Sequence, residues 1–171
     1  MIKTNILIIL LAFLTQFYIS ESFCQQNQSD NHKQIVYQMH HFRDLSDDVV
    51  IATLDTADNL IQKGDTLILS ELINLSFESD GYVSEYIGTI LGDLLLNKTE
   101  FFLNALIHKT EEDQKWIATF SFYTDGSGMP QTDYDKIEAK LEKVKLNIHN
   151  KLSKVAEICL RALKEVDKFQ N

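Results

Sequence analysis

From His32 onward the apolar residues recur at steps of three and four, and almost nothing in the chain would interrupt a helix. Val50, Leu54, Ala57 and Ile61 form one such stripe, and Ile87, Ile90 or Leu91, Leu94 and Leu95 another. Residues at these steps share one side of a helix with 3.6 residues per turn, so each stripe reads as an inward face. The only proline is Pro130, and no stretch alternates apolar and polar residues in the way a half-buried strand requires. The fold class that follows is all-α.

Capping residues divide the pattern. Ser46, Asp65, Asp80, Thr99, Thr110 and then Thr132 or Asp133 each stand where a side-chain oxygen could accept from the free N–H groups of a first turn. Lys63-Gly64 and Asn97-Lys98 read as stops. These marks predict helices over 32–44, 47–63, 66–78, 81–97, 100–109, 111–123 and 133–168. The connections are so short that sequential helices should pack as antiparallel neighbours, giving stacked helical hairpins. In the last segment, Ile137, Leu141, Val144, Ile148, Leu152, Val155 and Cys159 continue a heptad-like stripe with one slip at 148–152. It reads as a long C-terminal helix closing a hairpin body of residues 32–124 across a loop at 125–132, with two helices broken near His149-Asn150 as the other option.

A shift of 34 residues lays Asp65-Thr66-Leu67-Ile68-Leu69-Ser70-Glu71-Leu72-Ile73 on Thr99-Glu100-Phe101-Phe102-Leu103-Asn104-Ala105-Leu106-Ile107, cap on cap and apolar on apolar. Upstream, Val49 meets Val83 and Leu60 meets Leu94. Over residues 46–109 the chain thus resembles the helical-hairpin repeats of the HEAT and armadillo class, which implies side-by-side stacking of two helix–turn–helix units. The tetratricopeptide pattern shares the period but its Trp and Gly-Tyr positions are missing here.

Residues 1–24 have the layout of an export signal: Met1-Ile2-Lys3, a nearly unbroken apolar run from Asn5 to Tyr18, and small residues at Ser20, Ser22 and Cys24. The run is shorter than the roughly 20 residues that cross a bilayer. Cleavage after Ser22 or after Cys24 satisfies the small-residue rule, and the polar lead-in 25–31 then precedes one helical domain, 32–171. Glu21-Ser22-Phe23 is a poor lipobox, so lipid anchoring at Cys24 is not expected. The expected location is the periplasm or the extracellular space. Cys159 remains as the one thiol of the body, so the core rather than a disulfide must hold the fold.

Charge is uneven. Residues 25–132 hold 6 Lys/Arg against 17 Asp/Glu, a net of −11, whereas 133–171 hold 9 against 7, a net of +2. The acidic body argues against nucleic acid and against an anionic membrane surface, since both demand clustered cations. A cationic protein or peptide fits it better.

No set of residues carries a recognisable catalytic pattern. His40, His41 and Asp44 are candidate metal ligands only if one helix face brings His40 and Asp44 together at i and i+4; His-Glu-x-x-His spacing is absent. Asp125 to Asp135 has the flavour of a calcium loop, but its sixth position is Pro130 and its twelfth Lys136. Glu111-Glu112-Asp113 suits a helix start, Gly88 and Gly92 suit a helix crossing, and Cys159 falls on an apolar stripe. The expectation is an exported, non-enzymatic binding module of inhibitor, immunity or envelope-adaptor type that needs no cofactor and presents an acidic helical surface. The alternative is a metal-dependent enzyme whose ligands meet only in the fold.

Overall fold

The computed structural model describes residues 32–122, 129–147, 149 and 151–170. The expected export signal and lead-in, and residues 125–128 of the expected loop, lie outside these residues. Among the described residues there are eight α-helices and no strand. They are α1 (32–40), α2 (Asp47–Gln62), α3 (Thr66–Ser76), α4 (Gly81–Asn97), α5 (Thr99–Leu106), α6 (Glu111–Phe122), α7 (Gln131–Leu146) and α8 (Ser153–Gln170). A short 3-10 turn, Phe42–Asp44, follows α1.

Two boundaries differ in substance from expectation. The first helix stops at residue 40 instead of 44, because His41 leaves helical geometry (φ −117°, ψ 21°) and the next three residues tighten into the 3-10 turn. The segment expected as one helix over 133–168 is two. Asn147 turns out of the helix at φ −84°, ψ 80°, and the Ser153 hydroxyl donates to the Lys145 carbonyl at 2.7 Å, closing the bend. Leu152, buried at the bend, plugs it. The heptad slip at 148–152 falls in this interruption. Beyond it the chain reverses, since Lys145 meets Ser153 while Tyr134 donates to the Leu163 carbonyl, so α7 and α8 run antiparallel.

The caps show which local signals operate. Asp65 accepts from the N–H groups of Leu67 and Ile68 at 3.1 and 3.0 Å. Just before it, the Gly64 N–H bonds to the Ile61 carbonyl and the Asp65 N–H to the Leu60 carbonyl, a Schellman closure that needs the left-handed φ of +97° at Gly64. Thr110 accepts from the Asp113 N–H at 3.1 Å and donates to its carboxylate at 2.8 Å, so the two residues cap α6 reciprocally. Ser46 and Asp80 occupy cap positions without a side-chain bond. Thr99 does not cap: it is the first residue of α5, and its buried hydroxyl donates back to Leu95 at 2.8 Å. The last helical segment opens at Pro130 and Gln131, ahead of Thr132 and Asp133.

One contiguous apolar core runs through all eight helices. Full burial of a Leu or Ile side chain is worth roughly 1.5–3 kcal/mol, and the core contains many, among them Leu54, Ile68, Leu72, Ile87, Leu91, Leu103 and Ile137. The hub is α4, which packs against α2, α3, α5, α6 and α7. Its Gly88 and Gly92 are buried, leaving room where neighbours cross. The densest packing is that of α8 on α6 and α7, and Val155, Cys159, Ala162 and Val166 all face inward.

Hydrogen bonds tie each early helix to the one two places on, at separations of 31 to 36 residues. Tyr82 donates to Asp47 at 2.9 Å, Tyr86 to Asp55, and Lys98 to the Gln62 carbonyl. The partners climb both helices together, so α2 and α4 run in the same direction. His32 with Asp65 and Arg43 with the Glu78 carbonyl do the same for α1 and α3, and Lys109 reaches Asn74 from the end of α5. At the other end, Glu111 with Arg161 (2.6 Å) and Lys115 with Glu165 (2.8 Å) join α6 to α8.

Candidate functional site

The outward faces of α2 and α4 concentrate negative charge. Neither helix contains a Lys or Arg. The stripe Val50, Thr53, Leu54, Ala57 and Ile61 turns α2 inward, so the periodicity itself leaves Asp47, Asp48 and Asp55 exposed and Asp58 half-exposed. On α4 the same logic exposes Glu85 and Asp93 around the buried Val83, Ile87, Leu91 and Leu94.

Two phenols lie between the carboxylates and order them. Tyr82 and Tyr86 stand one helical turn apart on α4 and donate to Asp47 and Asp55 of α2, two turns apart on theirs. The hydrogen bond to Asp55, burial, and the charges of Asp55 and Asp58 push the Tyr86 hydroxyl up to about 12. Burial and Asp47 raise Tyr82 likewise. Both phenols therefore stay protonated donors at any physiological pH. Burial first, and then the charges of Asp58 and Asp133, raise the Asp93 carboxyl above the ordinary aspartate range. Such a face can hold a cationic group.

The three candidate ligands read from sequence do not converge on one point, although His41 and Asp44 lie near each other. His40 faces Glu71 of α3 at 3.3 Å, whereas His41 lies 3.9 Å from Asp44 and packs its ring against Tyr37 at 4.3 Å. Because α1 ends at residue 40, His40 and Asp44 share no helix face. Among the described residues no group of three His, Cys, Asp or Glu side chains is placed to hold a metal ion. Glu111 pairs with Arg161 and Lys154 of α8, and Asp113 caps its own helix. Burial drives the Cys159 thiol up to about 12, which leaves it un-ionised and closed to nucleophilic chemistry. Of the aromatic residues, Phe102 and Phe122 are core, while Phe77, Trp116 and Phe120 form a partly exposed ladder with centroids 4.6 and 4.9 Å apart. That ladder fastens the end of α3 to α6.

Sequence reasoning located the charge but missed the phenols that organise it. Two signals were available: the absence of cations from two consecutive even-numbered helices, and Tyr–Asp separations close to the 34-residue offset. Comparison with models of known protein families, with characterised proteins and with solved structures finds no match.

Proposed function

We propose that the chain is an exported, non-enzymatic binding module, built as stacked helical hairpins, that presents the α2/α4 face to a cationic protein or peptide. The observation that carries the reading is the composition of that face: Asp47, Asp48, Asp55, Asp58, Glu85 and Asp93, with no Lys or Arg on either helix. Lysine and arginine side chains would find acceptors already oriented by Tyr82 and Tyr86. Export rests on the signal-like residues 1–24.

The stacked arrangement is supported by the same-direction pairs of α1 with α3 and α2 with α4, and by one repeated detail. Lys98 donates to the Gln62 carbonyl at the end of α2; 34 residues further on, the Leu96 carbonyl at the end of α4 accepts from Lys140 of α7. The C-terminal segment thus performs for the second hairpin what the second performs for the first. This is the behaviour of a terminal cap, which any stack of helical units needs over its last apolar face.

The test compares partner capture by the natural chain and by a variant carrying Asp48→Asn, Asp58→Asn and Glu85→Gln, three carboxylates outside the Tyr–Asp pairs. Exposed charge attraction is screened over about 8 Å at physiological ionic strength. A partner held by the natural chain at low salt should be lost both at high salt and with the variant. Capture that survives both changes rejects this face as the binding determinant.

A further inference from the structure

One cluster of side chains plays no part in the acidic face. Lys98, Lys140 and Lys143 line a single cleft of about 410 Å³ where the α4–α5 junction meets the last turns of α7. We infer that this cleft is a binding site for a tetrahedral oxyanion of the phosphate class.

The convergence is not a by-product of abundant lysine. Helices α2 to α5 contain no Lys or Arg, and Lys98 is the only one between Lys63 and Lys109. Lys140 and Lys143 reach the cleft from the only net basic part of the chain. Two of the four lysines of α7 pair with carboxylates, Lys136 with Asp133 and Lys145 with Glu142. The cleft lysines do not. Lys98 and Lys140 each give a hydrogen bond to a helix-end carbonyl, which holds the side chain in place and cancels no charge. Lys143 pairs with no carboxylate among the described residues. Glu100 also lines the cleft, yet it forms no ion pair with any of the three among the described residues. Three lysines lining one cleft carry like charge, and an oxyanion with several acceptor atoms would offset it through charge-assisted bonds. The start of α5 lies on the same wall without a side-chain cap, so its positive dipole end adds to a field the lysines create. Phe101 and Val144 supply an apolar flank against which the carbon part of a phosphoester could rest.

The experiment titrates the full mature chain with sodium phosphate against sodium chloride at equal ionic strength, following the backbone amide signals of Thr99, Glu100 and Phe101 by NMR. Saturable shifts with phosphate alone are expected, with affinity at least about fivefold weaker in Lys143→Gln. That residue is exposed and holds no described structural bond, so its loss should leave the melting temperature unchanged. Two further arms use soluble glycerol phosphate and neutral vesicles with and without phosphatidate. Response to the soluble esters without vesicle binding assigns a free ligand, and response to both assigns a lipid headgroup. Phosphate shifts no larger than those of chloride would overturn the inference. So would shifts undiminished in Lys143→Gln, or vesicle binding without response to soluble phosphate.

Discussion

Leu163→Ala probes whether the last helix is part of the core. Leu163 is 1% exposed and belongs to α8, which is wedged against α6 and α7. Truncating a buried leucine costs about 2–5 kcal/mol, the lost transfer energy plus a term for the cavity that neighbours fail to fill. With packed helices on two sides there is little freedom to collapse, so a loss of about 3 kcal/mol is expected. A domain of ordinary stability has only about 5–15 kcal/mol in total. At roughly 2–4 °C per kcal/mol for a chain of this size, the midpoint should fall by about 6–12 °C. Leu146→Ala is the matched control. The chemistry is the same, but Leu146 is 76% exposed at the end of α7, and its loss should change stability by no more than about 0.5 kcal/mol. Thermal and urea melts by circular dichroism read both variants. If Leu163→Ala melts within about 2 °C of the parent, as Leu146→Ala should, α8 is an appendage and not part of the core.

The cap of α3 makes a pH-dependent contribution. Burial works to raise the Asp65 carboxyl, but the hydrogen bond from His32, the Ile68 N–H, the His32 charge and the Leu67 N–H together hold it below its ordinary 3.8. A depressed carboxylate stabilises the fold fully above its unfolded value and loses that contribution as pH falls through the folded one. Asp65→Ala should therefore cost about 0.5–2 kcal/mol at neutral pH. The gap to the parent should shrink below about pH 4, and a gap unchanged at pH 2 would rule out the titration as its source. Cys159, buried and with its thiol near 12, should resist iodoacetamide at pH 8 in the folded protein and react promptly in denaturant; rapid labelling of the native chain would show that α8 opens.

What could be read in advance was whatever neighbours in the chain decide among themselves. Helicity, the Gly64 stop, the Asp65 cap and the Thr110–Asp113 pair are settled within one or two turns, because they concern which side chain reaches which free N–H a few residues away. The stripe along α2 likewise announced its outward carboxylates, since burial of one face exposes the other. Even here, competing local bonds escaped notice: the Thr99 hydroxyl serves the carbonyl four residues back, and α1 ends one turn early, taking His40 and Asp44 off any common face.

The remaining features depended on which helices meet, and at what height. Tyr86 finds Asp55, Glu111 finds Arg161 fifty residues away, and three lysines from two distant segments gather at one cleft. No local pattern encodes those meetings. They follow from the joint packing of eight apolar faces, and one turn of displacement of a helix, about 5.4 Å, would part every such pair while leaving each helix, its caps and its stripe intact. Sequence alone therefore determined the elements and the sign of their surfaces, whereas the sites, which depend on contact at hydrogen-bond distance, were decided only when packing set the register between helices.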